Sequence, residues 1–323
     1  MASEAAGTAS GHFHPHPVPR RSRRRGYHPP HWSVRDLLRE SWQSRHLFFA
    51  LGGRLLSIRF ARTKLGRAWF IVRPLMEVFG MSLLFGGILA VSPAANVPYM
   101  VFLVFALAGW RFFQYAVYWA TLGFDRYSRL LRKLDFPLLP IPIASTAVAV
   151  LYLAVYLGIG VALLIYYWIV DGTLYLEVGP KLLLAVLGFS LCFLLAWGVG
   201  LFTSVWNAHT RDVRFVIRYV LQFWFFLTPV VYPLSQIPSE FQTLAQLNPM
   251  AAPVDLIKEG LLGIGQVDPW ATLWSVGVTL TTCLAGLFFF SRRATHFMGP
   301  TGWDDEGDDT RRGDDEDDDM DAV

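Results

Sequence analysis

Glu77 and Arg111 are opposite charges set inside long apolar runs, and the first chemistry available to such groups is to find each other. An Arg at the centre of a membrane span costs roughly 2.5–3.5 kcal/mol on insertion scales, so an intramembrane ion faces the protein interior and seeks a partner. Glu77 lies about eight residues inward from the basic end of its run and Arg111 about ten, depths of about 12 and 15 Å at 1.5 Å per residue. Adjacent antiparallel helices would bring them level.

Covalent chemistry has no comparable signal. The chain has no G-x-x-x-x-G-K-[ST] phosphate loop, H-E-x-x-H, G-x-S-x-G or metal-spaced Cys/His cluster. Its two cysteines, Cys192 and Cys283, sit in apolar runs and read as buried small side chains. His12, His14, His16, His28 and His31 could bind a metal, but among so many prolines they read as a solvated tail.

The elements that hold Glu77 and Arg111 follow from composition. The 323 residues are 54% hydrophobic, 15% aromatic and only 16% charged, against about 25% charged in soluble domains. A purely cytosolic or secreted globular enzyme is excluded. Six apolar runs stand out: 69–91, 99–121, 144–170, 182–205, 215–231 and 271–290. Most approach the ~20 residues a bilayer requires, and the fifth is short and carries Pro229. The expected fold is an all-α polytopic membrane protein of six spans.

Residues 1–32 form an expected disordered tail, basic and rich in His and Pro. Residues 33–66 mix apolar side chains with Arg and Lys in the pattern of amphipathic helices lying in the membrane interface, although a soluble helical hairpin would read alike. Residues 67–295 hold the transmembrane domain, and 296–323 form an acidic tail. From Asp304 onward there are twelve acidic residues and two Arg; the body before it holds 26 basic and 13 acidic groups.

Orientation comes from Lys and Arg in the connections. Arg126, Arg129, Arg132 and Lys133 follow the second run, Arg211 and Arg214 the fourth, and Arg292 and Arg293 the last, whereas residues 92–98 carry none. Both termini are therefore expected in the cytoplasm.

Motifs in order along the runs then carry a resemblance. Leu65-Gly66-Arg67-Ala68-Trp69 running to Pro74-Leu75, Gly109-Trp110-Arg111-Phe112-Phe113, Lys133-Leu134-Asp135-Phe136-Pro137, Arg211-Asp212, Thr228-Pro229-Val230-Val231-Tyr232-Pro233 and Leu247-Asn248-Pro249-Met250 together resemble the ABC-2 type export permeases over residues 45–295. The nearest subgroup is the O-antigen, teichoic-acid and galactan type of polysaccharide exporter. The two tails depart from its pattern.

The resemblance implies a homodimeric permease in the bacterial plasma membrane. It would work with two copies of a cytosolic ATPase that binds ATP and magnesium, move a lipid-linked glycan, and carry no cofactor, metal or nucleic acid itself. It implies a coupling helix that docks on the ATPase through Leu130, Leu131, Leu134 and Phe136, with Arg126, Arg129, Arg132 and Lys133 meeting acidic or phosphate groups. These cations could instead only set orientation. It implies an outer gate from short extracytoplasmic helices between the fifth and sixth spans, with Phe241, Leu244, Leu247, Leu256, Ile257 and Leu261 at helical spacing.

Aromatic density suggests a sugar path along Trp110, Arg111, Phe112, Phe113, Tyr115, Tyr118, Trp119, Phe223, Trp224 and Phe226, against the ordinary belt of aromatics at bilayer edges. Arg111 could fasten two helices through Glu77 or meet a phosphate on the lipid carrier. An efflux permease for small amphiphiles and a channel or scramblase without an ATPase are the alternative functions.

Overall fold

The computed structural model describes residues 66–93, 97–127, 138–210 and 212–293, with Arg35, Arg39, Trp42, Gln43, His46 and 50–53 ahead of them. The expected tails, most of the interfacial segment and residues 128–137 lie outside the described residues. The described part is α-helical: α1 (Trp69–Met81), α2 (Tyr99–Thr121), α3 (Pro140–Ser145), α4 (Ala147–Asp171), α5 (Leu182–His209), α6 (Val213–Leu227), α7 (Ser239–Gln246), α8 (Ala251–Leu262) and α9 (Pro269–Arg293).

Among the described residues, five helical segments are long and apolar enough to cross a membrane. They are α1 with its π-helical continuation to Ile88, α2, α3 with α4, α5, and α9. The run at 215–231 behaves differently. Its helix, α6, has 15 residues, about 22 Å at 1.5 Å per residue, short of the ~30 Å hydrocarbon thickness. The cause is local: Pro229 biases the residue before it away from helical backbone, and Thr228 is extended at ψ 134°.

Other ends are as legible. Asp268 Oδ1 accepts the Trp270 N–H at 2.9 Å just ahead of Pro269, an N-cap followed by proline at the first helical position. α4 and α8 stop at Gly172 and Gly263, whose φ values of 69° and 68° are the left-handed conformation glycine adopts freely.

Two helices organise the rest. α2 packs against α4, α5 and α8, and 83% of its span is buried inside the chain, against 11% of α1's. α5 is notched where neighbours cross it. A Cβ on Gly188 would lie 2.6 Å from the Pro253 carbonyl of α8, and one on Gly198 would lie 2.7 Å from the Cys283 nitrogen of α9. Small residues that let backbones approach are the usual means of helix packing in membranes. α8 is thereby drawn between α5 and α2, and ten of its twelve residues are buried.

Candidate functional site

The charged centre is assembled from α1, α2 and α4. Arg111 donates from Nε to Glu77 Oε1 at 2.7 Å and from Nη2 to the same oxygen, while Nη1 donates to Gln114. Tyr156 on α4 donates to Glu77 Oε2 at 2.6 Å, so both carboxylate oxygens are engaged. The Arg111 guanidinium also lies 5.5 Å from the centroid of Phe225 on α6. Side-chain exposure is 18% for each member of the ion pair. A charge this well neutralised has little left for an outside anion.

Tyr156 is absent from the sequence expectations. Its signal was available: Tyr152 and Tyr156 stand four residues apart in the first half of an apolar run, on one helix face. In the structure Tyr152 stacks on Tyr115 at 4.3 Å and meets Phe70 edge-on at 5.2 Å, joining the same three helices.

The aromatic residues of α2 occupy the interior of the chain. Trp110 and Phe113 are fully buried, Phe112, Tyr115, Tyr118 and Trp119 are 3–9% exposed, and Trp110 packs on Phe113, Trp224 and Phe225. Within one chain they are core. Of the aromatics expected to line a path, those that face outward belong to α6, where Phe223 is 67% and Phe226 57% exposed.

The helices after α6 divide in the same way. α7 presents Phe241, Leu244 and the following Leu247 outward, whereas Leu256 and Ile257 on α8 are buried and Leu261 is half-buried. α8 also carries a pair of opposite charges, Asp255 and Lys258, that the sequence expectations above do not include. Lys258 is buried beside Asp255, donates to the Pro229 carbonyl at 3.2 Å and sits 5.1 Å from the centroid of Phe102. Three-residue spacing inside an apolar helix was the clue.

Asn248 completes the fastening of this end. Its amide donates to the Leu227 carbonyl at 3.2 Å and to Thr228 Oγ1 at 2.9 Å, and its carbonyl accepts from Trp224 Nε1 at 2.8 Å. Of the last carbonyls of α6, that of Leu227 is thus taken up by Asn248 and that of Phe226 by the Tyr232 hydroxyl at 2.9 Å, while Lys258 takes the Pro229 carbonyl just beyond the helix. From α9, Trp274 and Ser275 donate to the carbonyls of Leu247 and Pro249. Lys181 pairs with Glu259 at 3.0 Å, and that hydrogen bond holds the ammonium above the usual lysine range.

At the opposite end, Arg126 lies 4.1 Å over the Trp119 ring and Asp125 accepts from Asn207 Nδ2 at 2.8 Å. Arg129, Leu130, Leu131, Arg132, Lys133, Leu134 and Phe136 lie outside the described residues. Among the described residues no cluster of three His, Cys, Asp or Glu could hold a metal.

Comparison with known proteins bears on this architecture. The family model described as ABC-2 type transporter matches residues 46–262. An O-antigen export system permease protein of Klebsiella pneumoniae is 23% identical over 256 residues, covering 78% of this chain and 93% of its own. A protein of the same description from Myxococcus xanthus is 29% identical, covering 67% and 80%. A polysialic acid transport protein of Escherichia coli is 27% identical, covering 76% and 92%.

Proposed function

The chain belongs to the ABC-2 type transporter family, and from that membership we propose that it is the transmembrane subunit of an ATP-driven exporter of lipid-linked glycan in the bacterial plasma membrane. Family members are transport permeases rather than enzymes, and the apolar helices make this one a multi-pass membrane protein. Two copies of the chain would form the path, with two copies of a separate cytosolic ATPase supplying the energy.

The observation that carries the substrate class is the match, over 67–78% of this chain and 80–93% of theirs, to relatives whose names specify O-antigen and polysialic acid. Several features of the structure support the reading. α1 is buried over only 11% of its span, and α6 turns Phe215, Tyr219, Phe223 and Phe226 outward, so two helices have surface to give to a second copy. α6 would act as the fifth of six spans, continued by the segment that Asn248 and Lys258 hold. Both termini would lie in the cytoplasm, by the Lys/Arg asymmetry of the connections.

Within this reading, the outer gate falls to α7 and its exposed Phe241, Leu244 and Leu247. α8, with Leu256 and Ile257 in the core, serves as its anchor. The aromatic lining falls to Phe223 and Phe226. The Arg126–Phe136 segment would couple to the ATPase. Deleting the gene in its host and following surface glycan tests the function. Lipid-linked glycan should accumulate inside and return to the surface on complementation, and unaltered export in the deletion would rule it out.

A further inference from the structure

If Glu77 neutralises Arg111, the half-buried guanidiniums left over deserve a ligand. Two of them share a face of α6. Arg214 and Arg218 are four residues apart, one helical turn, in the first two turns of a helix that begins at Val213. Arg218 Nη2 donates to the Tyr118 hydroxyl of α2 at 3.3 Å, with the guanidinium 5.8 Å from that ring. Arg214 stacks 4.8 Å from the Phe215 ring, and its Nε is shut off from solvent with no hydrogen-bond partner. Both residues are half-buried.

Among the described residues no carboxylate compensates them, and neither arginine forms an ion pair. Asp212, two residues before Arg214, is exposed and pairs with neither. Asp125 is held by Asn207 Nδ2, and Asn207 Oδ1 accepts the Arg214 N–H at 3.1 Å, which fixes the start of α6 against α5. Two partly desolvated like charges one turn apart are unfavourable unless an anion lies between them. Beside them Phe215, Val216 and Tyr219 face outward, an apolar strip on which an alkyl chain can lie.

Resting on the glycan-exporter reading, we propose that Arg214 and Arg218, with the Tyr118 hydroxyl, bind the phosphate headgroup of the lipid that carries the glycan as it enters from the cytoplasmic side. Guanidinium is the group suited to it, because its planar fork pairs bidentately with phosphate oxygens where an ammonium offers a point charge.

The test uses the full chain in phosphatidylcholine nanodiscs, titrated with farnesyl diphosphate as the lipid-phosphate probe, with inorganic pyrophosphate as the tail-less control and phosphatidylglycerol-containing discs as the bulk-lipid competitor. Farnesyl diphosphate should bind more tightly than pyrophosphate. R214Q and R218Q should each weaken it about tenfold, the loss of one charge-assisted bond, and R218K should recover part of that loss. Unchanged binding in R214Q/R218Q overturns the proposal, and so does full displacement by phosphatidylglycerol, which makes the pair an ordinary interfacial anchor. Should R214Q or R218Q fail to fold, R218K and the two competition arms still decide. A chain that binds the diphosphate while its complete transporter exports no glycan keeps this site and loses the exporter reading.

Discussion

Arg111 and Glu77 meet through two N–H groups on one carboxylate oxygen, with Nε at 2.7 Å, and Tyr156 takes the other oxygen at 2.6 Å. Three spans are therefore tied at one depth by a set of bonds in which no carboxylate oxygen is idle. Removing one partner leaves an uncompensated ion in a medium that cannot solvate it, whereas removing both leaves none. Arg111→Met should thus destabilise the detergent-purified protein by roughly 3 kcal/mol, and Glu77→Gln with Arg111→Met should recover most of that loss in thermal melts. Tyr156→Phe should cost about 1.5–3 kcal/mol, the value of a hydrogen bond to a charged group. Equal melting of single and double variants would deny the pair its fastening role.

Lys258 and Asp255 make the same kind of pair in α8, with Lys258 reaching across to the end of α6 at Pro229. Lys258→Met alone should be worse for folding than Lys258→Met with Asp255→Asn, read as the yield of monodisperse protein on gel filtration. The Pro229 carbonyl then loses its donor in both, so the double variant should stay below wild type.

α5 admits no bulk where α8 and α9 cross it. Gly198→Val would place side-chain carbon within the α9 backbone, and Gly188→Val would do so against α8. Both should abolish accumulation of folded protein in the membrane. Gly158→Val, with nothing within 4 Å of its Cβ position, should accumulate normally.

Much of this was legible in sequence, and what was not shares a cause. The apolar runs at 144–170 and 271–290 located the helices Ala147–Asp171 and Pro269–Arg293 to within a few residues, and the depths of Glu77 and Arg111 followed from arithmetic along two other runs. What the pattern could not say is which apolar face meets protein and which meets lipid, because in a membrane both are apolar. The α2 aromatics therefore read as a path by type alone, and burial inside one chain, complete for Trp110 and Phe113, is what that reading lacked. Leu256 and Ile257 read as a gate for the same reason. Asp255 and Lys258 drew no attention in the sequence because the helix holding them is only 12 residues long, well short of a membrane span. The run at 215–231 reads as one stretch by composition, and nothing in its apolar pattern marks that its helix ends at Leu227, ahead of Thr228 and Pro229.

A gate built on α7 makes a separate prediction. Leu244 is 66% exposed, so Leu244→Cys should crosslink across two copies under mild oxidation and block glycan export, with recovery on reduction. Ile257→Cys, buried behind α2 and α5, should not crosslink. Continued export through the crosslinked form would make α7 a passive lid.

The central claim is that this chain, driven by a partner ATPase, passes lipid-linked glycan through the membrane. The direct measurement is uptake by proteoliposomes holding the purified chain and its ATPase, with lipid-linked glycan supplied on the ATPase side and lumenal glycan counted after external glycosidase treatment. The account predicts protected glycan that appears only with hydrolysable ATP and disappears in the uncoupling variant Leu131→Asp with Leu134→Asp, whose membrane insertion should be normal. Protected glycan that accumulates equally without ATP, or none at all from an active ATPase complex, would contradict it.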